Sequence, residues 1–209
     1  AAAIGGGVGW AAAMRSGSPT DRTLGALAAI GVAIPNFWLG MLLVVVFASS
    51  LHWLPAAGFV PWQANVLQAI ASLLLPALAL AGPAAAAIAF DARTALSRAR
   101  LSLPVEAAQL RGLDAAAAFR QQGLRLALIE LAPRLGRQAA AIIAGSMIVE
   151  NVFSLPGLGR LTLDAVIAHD DAVLRAGLLV LVLLIAGTVF LIRVGAGSAD
   201  PRLTAETPE

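Results

Sequence analysis

The chain has no cysteine, no tyrosine and no lysine, and only 12% of its 209 residues carry a charge. Without cysteine there is neither a disulfide framework nor a thiolate metal site. Without lysine, all 14 basic residues are arginines, and this sets the sequence pI near 10.9. The formal net charge is only +2, so a nucleic-acid partner, which such a pI suggests in a soluble protein, has no charge surplus to rest on. A charged fraction about half that of ordinary soluble domains, with 59% hydrophobic residues and a mean hydropathy of +0.86, excludes a water-soluble core. Charge is absent altogether between Arg22 and Asp91, where His52 is the one titratable side chain. That stretch is long enough for two membrane crossings of about 20 residues each.

What is present divides the chain into apolar helices and short polar punctuation. Residues 1–14 are apolar without a basic leader, and are read as the tail of a helix whose beginning is missing, which makes the chain a fragment. A polar turn, Arg15 to Arg22, precedes a helix expected from about Thr23 to Leu51. The connection that follows has no arginine but holds Trp53 and Trp62, which suit a membrane interface and place it outside. A second uncharged helix covers about Val66 to Phe90. From Asp91 to Arg125 six arginines face three acids, so the positive-inside bias makes 91–125 a cytoplasmic loop. A helix from about Leu126 to Val149 leads to segment 150–171, where Arg160 stands among four acids and the chain is external again. The last helix, about Ala172 to Ile192, ends in a polar tail inside. The expected fold is all-α: a polytopic transmembrane helical bundle, one domain over 1–209, with four full crossings and a partial first one. The runs Ala84–Ala87 and Ala115–Ala118 fit close helix packing.

Within the cytoplasmic loop, Pro104 suits a first helical position, Glu106 places an acid in the first turn, and Gly112 fits a left-handed C-terminal cap. Asp114 can cap a second helix through about Arg125. The segment reads as helix, glycine turn, helix, and from the residues alone it is equally well a solvated amphipathic loop. In the external segment, Pro156, Gly157 and Gly159 read locally as a punctuated turn.

Two of these stretches carry a family resemblance. Glu106-Ala107-Ala108, three residues and Gly112 resemble the EAA signature of ABC importer permeases, although Gln122-Gly123-Leu124-Arg125 matches the end of that signature only in part. Val149-Glu150-Asn151-Val152-Phe153-Ser154-Leu155-Pro156-Gly157-Leu158-Gly159-Arg160 is similar to a segment of the dipeptide/oligopeptide/nickel permeases. Asp21-Arg22, Ile34 to Gly40, Trp53 to Gly58 and Asp200-Pro201-Arg202 extend the resemblance from Asp21 to Leu203. It implies a bacterial inner-membrane subunit, pairing with a second homologous permease and with two cytoplasmic ATPase subunits that hold ATP and magnesium. It also implies an extracytoplasmic solute-binding protein that delivers a peptide, a nickel chelate or a related solute. This chain then binds no cofactor or metal and has no catalytic residue. The resemblance assigns Glu106, Ala107, Ala108, Arg111, Gly112 and Asp114 to ATPase coupling, and Glu150, Phe153, Pro156, Gly157, Gly159 and Arg160 to external docking or gating. Pro35 is either a loosened helix beside the pathway or a tolerated kink.

The chain departs from the family at Glu130, Pro133, Arg134 and Arg137, near the inner end of a crossing. A charge at the bilayer centre costs about 2.5–3.5 kcal/mol on insertion scales, and Glu130 and Arg134 are four apart in the favourable acid-first order. An ion pair at the cytoplasmic boundary is therefore expected ahead of a part in substrate handling. An ion-coupled secondary transporter, with Glu130 in a proton relay, is the principal alternative, and a non-catalytic scaffold subunit is the third. A membrane hydrolase needs a nucleophile beside a base, and neither His52 nor His169 falls within an expected helix.

Overall fold

The computed structural model describes residues 1–14 and 18–197, and the described residues are helical with no strand. The helices are α1 (Ala2–Met14), α2 (Pro19–Ala33), α3 (Asn36–Leu43), α4 (Val66–Arg100), α5 (Leu103–Leu110), α6 (Ala115–Ala118), α7 (Leu124–Val152), α8 (Leu158–Ile167) and α9 (Asp171–Gly197). Two π-helical stretches, Val44–Ser50 and Phe119–Gly123, continue α3 and join α6 to α7. In the first, the Ser50 hydroxyl donates to the Val45 carbonyl five residues back, in step with the π-helical repeat.

The single helix expected over 23–51 is broken into α2 and α3. Pro35, extended at φ −67° and ψ 139°, stands at the N-cap of α3. It lacks an N–H and pushes the preceding residue out of the helical region, so α2 ends before it. Pro76, Pro83 and Pro133 lie inside helices that continue. The expected helix end at Asp91 also moves: α4 runs to Arg100, because Asp91 to Arg100 is rich in alanine, leucine and arginine, strong helix formers without a breaker. Residues 91–100 are thus helix, and the second helix of the loop does not stop near Arg125 but runs on into α7.

Among the described residues two helices, α4 and α9, are long and apolar enough to cross a membrane, and a third span results if α2 and α3 with its π-helical extension form one bent crossing. The expected four crossings included α7, which has the length, but Arg125, Glu130, Arg134 and Arg137 crowd its first half.

Two compact units are present, one of Ala1–Ile30, Ala85–Ala139 and Gly187–Glu209, the other of Gly31–Ala84 and Ala140–Ala186. In the first, Ala13, Ala95, Leu96, Ala99, Phe119 and Ala127 form one core and Val105, Ala108 and Ala118 another. Here α1 lies so close on α4 that a Cβ on Gly9 would stand 2.6 Å from the Ala89 carbonyl oxygen. Such approach is available only to small residues. In the second unit the core is Leu75, Ala79, Val149 and Phe153. Phe153 packs over Gly40, where an added Cβ would meet its ring at 3.0 Å.

Candidate functional site

The loop between α4 and α7 is built around α5. Ser102 precedes the helix in extended conformation, Pro104 lies in the first turn and Glu106 supplies its acid. At the other end the Gly112 N–H donates to the Gln109 carbonyl (2.9 Å) and the Leu113 N–H to the Ala108 carbonyl (3.3 Å). This is a Schellman motif, with Gly112 at φ +94° in the left-handed position and Leu113 packed on the Val105–Ala108–Ala118 cluster. No atom lies within 4 Å of a Cβ built on Gly112, so glycine is needed there for its backbone angle and not for space. Asp114 then caps α6, its carboxylate accepting the Ala117 N–H at 2.5 Å.

The faces of α5 differ. Val105 and Ala108 are buried, whereas Leu103 and Leu110 remain 80% and 83% exposed and Glu106, Ala107 and Arg111 are also outside. Arg111 folds its Nε back to the Ala107 carbonyl (3.2 Å), leaving its terminal nitrogens toward the surroundings. A rigid short helix therefore presents two bare leucines next to an acid and an arginine.

The second predicted segment, from the end of α7 into α8, is held from within. Glu150 turns its carboxylate onto the first turn of α8, where Oε2 accepts the Gly159 N–H (2.7 Å) and the Arg160 N–H (3.3 Å). These are donors that a helix N-terminus leaves unpaired, and the positive end of α8 favours the negative charge. The seat has no spare room: a Cβ on Gly157 would overlap the Glu150 carboxyl, and one on Gly159 would overlap the Met147 backbone. Gly157 is itself extended at φ −136°, so both glycines are required by contact rather than by backbone angle. Phe153 is 1% exposed and its carbonyl accepts the Gly58 N–H at 2.8 Å. Pro156 is exposed, and Arg160 makes only a long pair with Asp164, 3.9 Å. Of the six residues assigned to docking, Glu150, Phe153, Gly157 and Gly159 build the turn, while Pro156 and Arg160 stand at its surface. Ser154 and His169 take left-handed backbone angles at the ends of α7 and α8, with the same pair of capping bonds that glycine makes after α5.

Glu130 and Arg134 do pair, at 2.5 Å. Arg134 also reaches Asp91 (3.3 Å), and Arg98 reaches Glu130 (3.1 Å), so that four charges tie α4 to α7 within the first unit. Sequence reasoning missed a second pair: Arg93 grips both carboxylate oxygens of Asp21, at 2.5 and 2.9 Å, with Asp21 only 3% exposed. The available signal was position, since Asp21 and Arg93 lie at the two borders of the long charge-free stretch. Asp200-Pro201-Arg202 and Arg15 lie outside the described residues.

The apolar helices and the capped helical loop between them are those of a multi-pass membrane protein. The description "binding-protein-dependent transport system inner membrane component" matches residues 5–205. The chain is 32% identical over 183 residues to a peptide transport system permease protein of Brucella abortus, covering 88% of this chain and 58% of that protein. Against a di/tripeptide transport system permease protein of Pseudomonas aeruginosa the identity is 29%, over 92% of this chain and 63% of that one. A glutathione transport system permease protein of Escherichia coli is 35% identical over 76% of this chain and 49% of its own length. The chain belongs to the family of binding-protein-dependent transport system inner membrane components, as its motifs anticipated, and is a multi-pass inner-membrane protein. It spans 58% of the length of the Brucella relative.

Proposed function

We propose that residues 1–209 form one permease domain of an ATP-driven importer, pairing with a second homologous permease and taking peptides or peptide-like solutes across the membrane. The named cargoes of its relatives, peptides and glutathione, support that class; a nickel chelate rests on the motif resemblance alone. The observation that carries the reading is α5, stopped by Gly112 and showing Leu103 and Leu110 to its surroundings. Exposed leucines beside charged groups on a rigid helix are what a docking surface for a soluble partner requires. In this reading loop 91–125 faces the cytoplasm, α5 seats on one of two ATPase subunits, and ATP and magnesium stay on that partner. The chain itself then contributes no catalytic group. On the outer face, Pro156 and Arg160 of segment 150–171 meet a solute-binding protein, on a turn that Glu150, Gly157 and Gly159 keep rigid.

The test is Gly112→Val together with Glu106→Lys, read by co-purification of the ATPase and by solute transported per ATP in proteoliposomes. A left-handed angle costs an L-residue about 1–2 kcal/mol, so Gly112→Val should loosen the end of α5 and reduce association or coupling about tenfold while the chain stays in the membrane. Gly112→Asn, which tolerates that angle, should be milder. Normal association and coupling in Gly112→Val and Glu106→Lys would refute the docking role. An ion-coupled mechanism would instead leave transport independent of ATP and abolish it when the proton gradient collapses.

A further inference from the structure

The π-helical stretch Phe119–Gly123 joins the loop that carries α5 to α7, and the Leu124 N–H donates to the Phe119 carbonyl five residues back. In an α-helix that bond spans four residues, and such wider turns recur at functional sites. On one side α5 packs against the stretch. Gly123 makes that approach possible, because an added Cβ would stand 2.5 Å from the Phe119 ring and 3.1 Å from Val105 of α5. On the other side the Arg100 guanidinium lies 5.0 Å from the centre of the Phe119 ring, and Trp10 of α1 meets that ring at 6.2 Å. Arg100 is the last residue of α4. It also donates to the Ala13 carbonyl (3.0 Å) and touches the Met14 thioether, both in the last turn of α1. Helix carbonyls there lack partners of their own, and a cation suits that negative end. One side chain thus ties the ends of α1 and α4 to the turn that supports α5. Beside the turn lies a cavity of about 410 Å³, its wall nearly all apolar and formed in part by Trp10, Met14, Val105 and Phe119. The ring is therefore clamped by Arg100 and has open space on its cavity side.

We propose that Arg100 and Phe119 form a coupling joint. Displacement of α5 by the ATPase shifts the Phe119 ring into the cavity, and Arg100 passes that movement to the ends of α1 and α4. The inference rests on α5 being the ATPase-docking helix. Arg100 and Phe119 are positioning residues, acting through α5 and the helix ends and not on solute or nucleotide. Packed interiors switch between discrete arrangements and do not deform continuously. The cavity supplies the volume for a second arrangement, and the π turn supplies the backbone, since closing it to α geometry turns the start of α7 without unfolding it.

The experiment compares Arg100→Gln, Phe119→Leu and Phe119→Tyr in the assembled full-length complex. Solute transported per ATP in proteoliposomes should fall about fivefold in Arg100→Gln and in Phe119→Leu, the scale on which residues between two sites modulate coupling. Phe119→Tyr keeps a ring under the guanidinium and should retain coupling. The double change Arg100→Gln with Phe119→Leu should be no worse than either alone, because one contact is removed in each case. Yield of the assembled complex and co-purification of the ATPase should match the intact protein in all variants. Hydrogen exchange at amides 119–125, with and without a nonhydrolysable ATP analogue, reads the joint itself. Protection should depend on nucleotide in the intact complex and lose that dependence in Arg100→Gln. Unchanged transport per ATP in both Arg100→Gln and Phe119→Leu would overturn the proposal, as would exchange indifferent to nucleotide in the intact complex. Loss of assembly or of ATPase co-purification in these variants would also overturn it, making the pair a support of the docking surface. Failure of the docking reading itself shows elsewhere, as normal co-purification and coupling in Gly112→Val.

Discussion

Replacing Glu150 separates two roles for one carboxylate. A docking acid faces a partner, whereas the Glu150 carboxylate accepts the Gly159 and Arg160 N–H groups at the start of α8. In Glu150→Gln an acceptor oxygen remains but its charge is gone. Bonds to charged groups contribute roughly 1.5–3 kcal/mol and neutral ones roughly 0.5–1.5, and only the 2.7 Å bond to Gly159 is short. The expected loss is therefore about 1 kcal/mol. Glu150→Ala removes the acceptor and leaves the N–H of buried Gly159 unpaired, at about 2–3 kcal/mol. Hydrogen exchange by mass spectrometry in nanodiscs reads this directly, because amide protection tracks local opening. Amides 158–162 should exchange about fivefold faster in the Gln variant and about 30- to 150-fold faster in the Ala variant, using 1.4 kcal/mol per factor of ten. Gly157→Ala, which overlaps the carboxyl in the native chain, should be tolerated better once Glu150 is Ala, a non-additivity expected of touching residues. Unchanged protection in Glu150→Ala, with binding-protein stimulation of ATP hydrolysis lost, would refute the capping argument and make Glu150 a docking residue.

Asp21→Asn should strip Arg93 of its counterion and lower the thermal stability of the detergent-solubilised protein, toward the low end of the roughly 3–5 kcal/mol typical of broken buried pairs, because Arg93 is a third exposed. A mutational cycle on Glu130→Gln and Arg134→Gln, read as yield of assembled complex, should be less than additive. Arg98→Gln should cost less than Arg134→Gln, since Arg98 is 68% exposed and Arg134 17%. For orientation, single cysteines at Ser97 and Ala57 should react with an impermeant maleimide in spheroplasts only at Ala57. Labelling at Ser97 alone would invert the topology.

The α5–Gly112–Asp114 arrangement was legible because all its determinants lie within a dozen residues. Proline at a helix start, glycine in the left-handed position and aspartate at a cap act through bonds spanning three to five positions, so residue type alone predicts them. The same locality made Glu130–Arg134 readable and hid its extension to Asp91 and Arg98, which sit on another helix. Element ends were less legible where charge was taken as a boundary: Asp91 does not stop α4, because a polar residue ends a membrane segment without ending a helix.

Sequence by itself determined the membrane class, the helical character, the family and the caps, since hydrophobic runs, periodicity and turn residues are properties of neighbours along the chain. Tertiary structure alone decided that Asp21 meets Arg93 across 72 positions, that Glu150 turns inward onto α8, and that Gly157 and Gly159 are there for contact and Gly112 for its angle. It also gathered Trp10, Arg100 and Phe119 around one cavity. The physical reason is that hydrophobicity is non-directional: it drives helices together without naming which faces meet, and ion pairs, carboxylate caps and close glycine contacts exist only after that choice is made.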